Sequence, residues 1–205
     1  MTSPKRSAAY RLLATGELPP DTVALARSLI GKILVRDTAE GLISGRIVET
    51  EAYPVGDPAG HAFRGMTPRN RSLFLGRGHA YVYRIYGVSY MLNVASELPG
   101  VGAGVLIRAL EPMEGVAIMR QNRGVQSLRA LARGPGRLAQ ALQIDQRLDG
   151  VDLCRSGPLW LACDDQPGQD IGASVRIGLS RAADLVLRFH VRGDPFVSGP
   201  RALNQ

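Results

Sequence analysis

The segment RIVETEAY, residues 46–53, carries the side chains of this sequence that are best suited to acid–base chemistry. If the segment forms a β-strand, alternation places Glu49, Glu51 and Tyr53 on one side of it. Two carboxylates held this close repel each other, which tends to raise the pKa of one of them. A carboxylate beside an aromatic ring at a strand end can act as a general base. The alternative is a half-solvated edge strand.

Tyrosines are concentrated in a second segment, where Tyr81, Tyr83, Tyr86 and Tyr90 follow His79 closely. Aromatic rings interleaved with arginines suit a surface that stacks nucleobases and contacts phosphates. The alternative is an ordinary sheet core whose tyrosine hydroxyls reach the solvent. The residues alone leave both interpretations open.

The charge of the chain indicates an acidic partner, since the net charge is +7 and the isoelectric point is near 10. Two long stretches, 58–96 and 115–144, contain no acidic residue and hold five arginines each. Guanidinium groups match phosphate with forked hydrogen bonds, which favours a nucleic acid. A GC-rich genome would also enrich arginine over lysine, so the distribution carries more weight than the count.

Two short motifs indicate where a phosphate backbone would bind. The basic loop TPRNR, residues 67–71, is restrained by its proline. The run GPGRL, residues 134–138, predicts the start of a helix with Arg137 in its first turn, where a phosphate is favoured. The glycines of residues 100–104 lack the spacing of a nucleotide-binding loop and predict a turn.

Composition excludes several classes of protein. The 205 residues include 45% hydrophobic residues, which is typical of a globular domain and excludes disorder along the whole chain. No window holds eighteen apolar residues in a row, so we expect no membrane partner. Two cysteines and three separated histidines offer no ligand set of the usual spacing. We therefore expect no metal and no cofactor. The first twenty residues also lack an apolar signal segment, so we expect a reducing, cytoplasmic setting.

The order of predicted elements indicates an α+β fold. Residues 1–20 are expected to form a weakly ordered N-terminal arm, and residues 21–205 a single domain. Asp21 is the predicted N-cap of the first helix, and further helices are expected over 111–122 and after Pro135. The remaining predicted elements are strands over 32–36, 42–53, 80–95 with a turn near Gly87, 104–110, 158–162, 175–177 and 186–191. We therefore predict one domain with a mostly antiparallel, curved sheet surrounded by α-helices.

Six segments, taken in order, resemble the alkyladenine DNA glycosylase family, also called 3-methyladenine or methylpurine DNA glycosylases. They are GRIVETEAY (45–53), TPRNR (67–71), YVYRIYG (81–87), LIRALEP (106–112), GPGRLAQAL (134–142) and RFHVRG (188–193). The resemblance extends from about residue 25 to residue 195. It implies a monofunctional enzyme of base excision repair that flips a damaged purine out of duplex DNA and hydrolyses its N-glycosidic bond.

The resemblance also implies roles for individual residues. Glu51 matches the general base, while Arg108 and the carbonyl of Val191 match groups that hold the attacking water. The implied walls of the base pocket are Tyr53, His61 and Tyr83, with the amide of His61 bonded to the flipped base. Asn93 matches a residue that excludes the 2-amino group of guanine. The implied DNA contacts are the wedge Tyr86 together with Thr67, Arg69, Asn70, Arg71 and Arg137.

The implied substrates are alkylated purines such as 3-methyladenine and 7-methylguanine, extended to hypoxanthine and ethenoadenine. Cationic bases should leave faster, since the sequence supplies no general acid for a neutral leaving group. Neither lysine, at positions 5 and 32, lies near these segments, so a Schiff-base lyase step is not expected and an abasic site remains. We expect a monomer in the bacterial cytoplasm, associated with the nucleoid.

Two rival interpretations account for the same charge and the same tyrosines. One is a non-catalytic nucleic-acid-binding β domain, and the other is a basic protein associated with the ribosome or another assembly. Only the enzyme needs Glu51, because a carboxylate that faces a phosphate polymer opposes binding. A variant at this position therefore separates the enzyme from both rivals.

Overall fold

A computed structural model describes residues 10–85, 87–164 and 166–204 of the chain. Within these ranges nine strands join into one antiparallel sheet, accompanied by three α-helices. This arrangement confirms the predicted α+β class. No helix in the described ranges is long and apolar enough to cross a bilayer.

The sheet places the predicted catalytic strand at its centre. In chain order the strands are β1 (Arg11–Leu12), β2 (Ile33–Thr38), β3 (Gly41–Tyr53), β4 (Ala80–Ile85), β5 (Ser89–Ala95), β6 (Gly104–Pro112), β7 (Leu159–Cys163), β8 (Ile171–Ser174) and β9 (Arg188–Val191). Their spatial order is β1-β7-β2-β3-β6-β5-β4, and β9 pairs with both β3 and β8. The helices are α1 (Thr22–Ser28), α2 (Val116–Arg123) and α3 (Pro135–Ala141).

Strand β3 is the longest strand and changes partner along one of its edges. Its first half pairs with β2 and part of its second half with β9, while β6 pairs along the opposite edge from Gly45 to Tyr53. The register with β6 shifts between Ile47 and Thr50, at the point where β2 gives way to β9. A local irregularity of this kind bends a strand and redirects its side chains. Glu49 lies at this junction and is fully buried.

The local signals read from the sequence account for the ends of several elements. Asp21 caps α1 as predicted, because its carboxylate accepts a hydrogen bond of 2.7 Å from the amide of Ala24. The helix predicted over 111–122 begins later, at Val116, because β6 continues to Pro112. Gly115 lies in the turn between β6 and α2 and has a φ of +68°, which favours glycine. A Cβ at this position would clash with the carbonyl oxygen of Leu42.

The last third of the chain differs most from the predicted elements. The strand predicted over 175–177 is wrong, because β8 covers Ile171–Ser174 and the chain then leaves the sheet. The physical reason is that the Ile177 amide donates to the Glu51 carboxylate instead of to a neighbouring strand backbone, while the Arg176 side chain pairs with Asp57 and donates to the Ala52 carbonyl. The predicted strand over 186–191 begins later, at Arg188.

The hydrophobic core lies between the sheet and the helices. It is built from the apolar faces of β3, β5 and β6, against which α1 and α3 pack. At the other end of the sheet, β1 pairs with β7, and Leu13 and Leu18 are buried. The division of the chain into an arm and a domain at residue 20 stays a prediction.

Candidate active site

Glu51 lies on β3 with its carboxylate buried and held by three groups from different elements. The hydroxyl of Tyr53 donates to Oε2 at 2.9 Å, and Arg108 Nη1 of β6 lies 3.1 Å from the same oxygen. The backbone amide of Ile177 donates to Oε1 at 2.8 Å. The strand alternation thus brings Glu51 and Tyr53 to one side as expected, and Arg108 reaches both carboxylates there.

Glu49 occupies the opposite side of the Arg108 guanidinium. Its Oε1 accepts from Arg108 Nε at 2.9 Å and from Arg188 Nε at 2.7 Å, while Oε2 accepts from the amide of Ser198 at 2.7 Å. Burial disfavours the carboxylate, but the guanidinium groups of Arg108 and Arg188 and the Ser198 bond together lower the pKa of Glu49. For Glu49 the shift is therefore opposite to the one that simple repulsion between the carboxylates would cause.

Arg108 connects the two carboxylates and stays charged. Burial alone would lower the pKa of its guanidinium, but the charges of Glu51 and Glu49 raise it. The two carboxylates and the guanidinium groups of Arg108 and Arg188 form a cluster without net charge, in which every side chain is less than a tenth exposed. A buried cluster of ions is tolerated only when its charges are paired in this way.

An aromatic cavity of about 170 Å³ opens next to this cluster. Its walls include Tyr53, His61, Tyr81, Tyr83, Asn93 and Leu179. The ring centroids of His61 and Tyr83 are 4.4 Å apart, and those of Tyr81 and Tyr83 are 5.2 Å apart in a stacked arrangement. Burial, and then the nearby charge of Glu51, raise the pKa of Tyr53 and Tyr83, so both hydroxyls are protonated at neutral pH. Tyr53 belongs both to the cavity wall and to the Glu51 contacts, and it joins the two sites.

A second buried ion pair supports the far face of the Tyr53 ring. Arg176 lies over this ring at 4.6 Å from its centroid and pairs with Asp57 through both of its terminal nitrogens. Asp57 also accepts from the amide of Ala59, within the loop that leads from β3 to the cavity wall. Neither residue is predicted from the sequence, because a lone aspartate in a loop and a distant arginine carry no local signal.

The cavity wall formed by His61 is held from two directions. His61 Nδ1 lies 2.9 Å from the hydroxyl of Tyr81, and the Asn70 side-chain amide donates to the His61 carbonyl at 2.8 Å. Within the described ranges the His61 amide has no hydrogen-bond partner, and it is the group that the family resemblance assigns to the base. Asn70 itself is buried and also donates to the carbonyl of Gly65, so it folds this loop rather than facing solvent.

The other residues predicted to contact DNA lie on the surface around the cavity. Arg69 is exposed, lies 5.8 Å from the centre of the Tyr83 ring, and donates to the carbonyl of Arg84. Thr67, Arg71 and Arg137 are exposed as well. The start of α3, which carries Arg137, packs against the start of β5 at Ser89. Tyr86, the predicted wedge, lies outside the described residues.

Val191 ends β9, the strand that pairs with the second half of β3, and its role in holding the attacking water stays a prediction. Glu51 pairs across the sheet with Arg188, three residues or about 10 Å before Val191 along β9. The carbonyl of Val191 accepts from the amide of Asp194 in the following turn at 3.4 Å. The backbone group in contact with Glu51 belongs to Ile177, which the sequence analysis placed in a strand.

Asn93 and His190 take different places in the structure. Asn93 lines the cavity, and its amide nitrogen donates to the carbonyl of Tyr81 at 3.3 Å. His190 is fully buried beside Arg188 and away from the cavity walls, with its ring against Gly172. Burial, and then the charge of Arg188, lower the pKa of His190, so its imidazole is neutral. The described residues contain no group of side chains that could hold a metal ion.

The arrangement combines a fixed carboxylate with a cavity that fits a flat ring. The carboxylate is shared by a cation and a hydroxyl donor, and the cavity offers aromatic faces. The amide of the wall residue His61 has no hydrogen-bond partner among the described residues. Such a site can bind an aromatic heterocycle by stacking and can activate a water molecule beside it.

Comparison with known proteins gives a consistent result. The family model "Methylpurine-DNA glycosylase (MPG)" matches residues 17–195. The chain is 70% identical to a protein of Mesorhizobium japonicum over 193 residues, covering 94% of this chain and 93% of that one. It is 52% identical to a protein of Paraburkholderia phytofirmans, covering 93% and 90% of the two chains, and 47% identical to one of Methanoculleus marisnigri, covering 87% and 94%. All three bear the name "Putative 3-methyladenine DNA glycosylase".

Proposed function

Because the chain belongs to the methylpurine-DNA glycosylase family and is a DNA glycosylase, we propose that Glu51 activates the water that releases a damaged purine from DNA. The observation that carries this proposal is the position of the Glu51 carboxylate, which is bonded to a wall residue of the aromatic cavity and to Arg108. The flipped base occupies the cavity, and the sugar at its mouth faces the carboxylate. The product is an abasic site, with no covalent enzyme intermediate.

The proposed step needs one base and no acid when the lesion is cationic. Glu51 takes a proton from water, and the water oxygen forms a bond to C1′ of the sugar while the bond from C1′ to the purine nitrogen breaks. The bonding electron pair moves onto the purine and neutralises its positive charge. Arg108, which pairs with Glu51, orients the carboxylate for this step.

The composition of the cavity favours alkylated, cationic purines such as 3-methyladenine and 7-methylguanine. The faces of Tyr53, Tyr83 and His61 surround the space, and a cationic base gains about 1–2 kcal/mol against such rings when water is excluded. Asn93 occupies the part of the cavity wall where the 2-amino group of guanine would lie, and its side chain excludes that group. Hypoxanthine and ethenoadenine are slower substrates, because the protonated tyrosine hydroxyls, with their raised pKa values, are weak acids.

Duplex DNA is the partner that the surrounding surface suits. Arg69, Arg71, Thr67 and Arg137 contact phosphates on either side of the flipped nucleotide, and Tyr86 fills the gap in the duplex. One cavity acting on one duplex needs no second subunit, so the protein works as a monomer at the nucleoid, within the cytoplasm.

The test compares Glu51→Gln with the wild type on duplex DNA that contains one 7-methylguanine. We expect excision under enzyme excess to fall below detection, while binding to the lesion duplex stays equal or becomes tighter because a negative charge is lost. Glu111→Gln, which removes a partly exposed carboxylate from the same β3–β6 pair, is the matched control and should excise normally. Normal excision by Glu51→Gln would show that the base is another group.

The rival binding module makes a different prediction for the wild type. It would bind lesion and plain duplexes alike and release no base. A duplex series with 3-methyladenine, hypoxanthine or ethenoadenine extends the assay to the substrate ranking. Equal or reversed single-turnover rates for cationic and neutral bases would contradict the proposed absence of an acid.

A further inference from the structure

We propose that Glu49 is a positioning residue for the catalytic pair Glu51–Arg108, and that the C-terminal segment 196–204 holds Glu49 in place. This inference rests on the proposed role of Glu51. The segment lies beyond residue 195, where the match to the family model ends. It nevertheless makes buried hydrogen bonds to the charged cluster of the site.

Glu49 has no contact that suits a catalytic base. Its two oxygens accept from Arg108, from Arg188 and from the backbone amide of Ser198, and its side chain is fully buried. It is absent from the walls of the aromatic cavity. A carboxylate with three charge-assisted or backbone donors is fixed in orientation, so its effect on the reaction passes through the groups that it holds.

The group that Glu49 holds next to the cavity is Arg108. A guanidinium facing a single carboxylate tends to pair with it through two parallel hydrogen bonds. Here the Nε of Arg108 donates to Glu49 at 2.9 Å, and its Nη1 lies 3.1 Å from Oε2 of Glu51. By engaging one edge of the guanidinium, Glu49 limits how strongly Arg108 binds Glu51. Glu49 therefore fixes the position from which Arg108 approaches the Glu51 carboxylate.

Arg188 links Glu49 to the C-terminal segment. All of its donor nitrogens are engaged, although its side chain is fully buried. Three acceptors come from the segment: the carbonyls of Ser198 and Leu203, each at 3.0 Å, and the side-chain oxygen of Asn204 at 2.7 Å. The Asn204 amide also donates to the Ser198 carbonyl, which closes the segment on itself.

Hydrogen bonds connect the C-terminal segment to Arg108 without a break, and an ion pair then joins Arg108 to the catalytic carboxylate. The C-terminal segment holds Arg188 and Glu49 in position, and Glu49 in turn holds Arg108. Arg108 places its positive charge next to the Glu51 carboxylate. The other groups that face this cluster are Tyr53 and Tyr83, whose hydroxyls are protonated, Arg176 behind the Tyr53 ring, and His190. His190 lies opposite Glu49 in the sheet and beside Arg188, and its lowered pKa leaves the imidazole neutral. None of these four side chains forms a hydrogen bond with Glu49.

The main test is Glu49→Gln in the full chain, measured as single-turnover excision of 7-methylguanine with enzyme in saturating excess. Under this condition the rate constant does not depend on the fraction of protein that is folded. We expect the rate constant to fall by about 10- to 100-fold, because a small displacement of catalytic groups has effects of this size. Affinity for the lesion duplex should change little, and Glu111→Gln should match the wild type.

The pH profile separates a positioning role from a purely structural one. In Glu49→Gln the guanidinium of Arg108 is free to pair fully with Glu51, so the acidic limb of the excision profile should move to lower pH. A residue that only stabilises the fold would leave this limb in place. An unchanged acidic limb would overturn the proposal, even if the rate constant fell.

A second variant covers the case in which Glu49→Gln does not fold. Asn204→Ala removes one acceptor of Arg188 without touching either carboxylate, and we expect the rate constant to fall several-fold with the duplex affinity retained. Arg201→Lys, an exposed change in the same segment that keeps the charge, should have no effect. A wild-type rate constant in Asn204→Ala would contradict a role for the segment.

Including Glu51→Gln in the same series shows whether the catalytic role of Glu51 fails or only the positioning role of Glu49. If Glu51→Gln excises normally, the proposed function fails, and the role of Glu49 fails with it. If Glu51→Gln is inactive while Glu49→Gln and Asn204→Ala excise at the wild-type rate, only the positioning role is overturned.

Discussion

Replacing Asp57 with asparagine should destabilise the protein strongly, although the two side chains have the same shape. Asp57 and Arg176 are both fully buried, and each carboxylate oxygen pairs with one terminal nitrogen of the guanidinium. The pair joins the loop after β3 to the segment after β8, which are 119 residues apart in the chain. In Asp57→Asn the positive charge of Arg176 stays buried and loses its partner.

The size of the effect follows from this burial. Removing one member of a buried ion pair costs about 3–5 kcal/mol, because the remaining charge has neither water nor a counterion. For a chain of this length each kcal/mol lowers the Tm by about 2–4 °C, so the expected fall is about 6–20 °C. Excision should weaken too, since Arg176 supports the Tyr53 ring and Asp57 orders the loop before His61.

The assay is thermal unfolding followed by circular dichroism, combined with single-turnover excision below the melting range. Asp184→Asn, at an exposed position of the neighbouring loop, is the matched control and should leave the Tm unchanged. The double variant Asp57→Asn/Arg176→Met removes the unpaired cation and should recover part of the loss. A Tm for Asp57→Asn close to that of the wild type, or no recovery in the double variant, would refute the reasoning.

Two further predictions concern the surface and the response to acid. Arg69→Gln should weaken binding to any duplex and reduce the slope of log affinity against log salt by about one, while Arg11→Gln, at the far edge of the sheet, should leave the slope unchanged. Binding titrations at several salt concentrations check this. Because the folded-state pKa of Glu49 lies below its unfolded value of about 4.3, its contribution to stability is present above that pH and is lost as the pH falls through the folded value. Denaturant unfolding through this acidic range should therefore show a weaker pH dependence in Glu49→Gln than in the wild type, and equal dependence would contradict the assignment.

The sequence alone was sufficient for the elements that surround the cavity. The alternation of RIVETEAY predicted that Glu51 and Tyr53 share one side of a strand, and the hydrogen bond between them agrees with this. The cap at Asp21 and the two strands that turn near Gly87 were also predicted correctly. These features depend on neighbours within a few residues, so a pattern along the chain is enough to reveal them.

Tertiary structure alone decided which residues complete the site. Ile177 reaches Glu51 across 126 positions and Ser198 reaches Glu49 across 149, and neither segment carries a local signal of this role. The irregular pairing of β3 places Glu49 at the junction of β2 and β9. The carboxylates, Arg108 and Arg188 depend on each other, because a buried charge is stable only beside its partner, and a partner distant in sequence becomes a neighbour only when the sheet has formed.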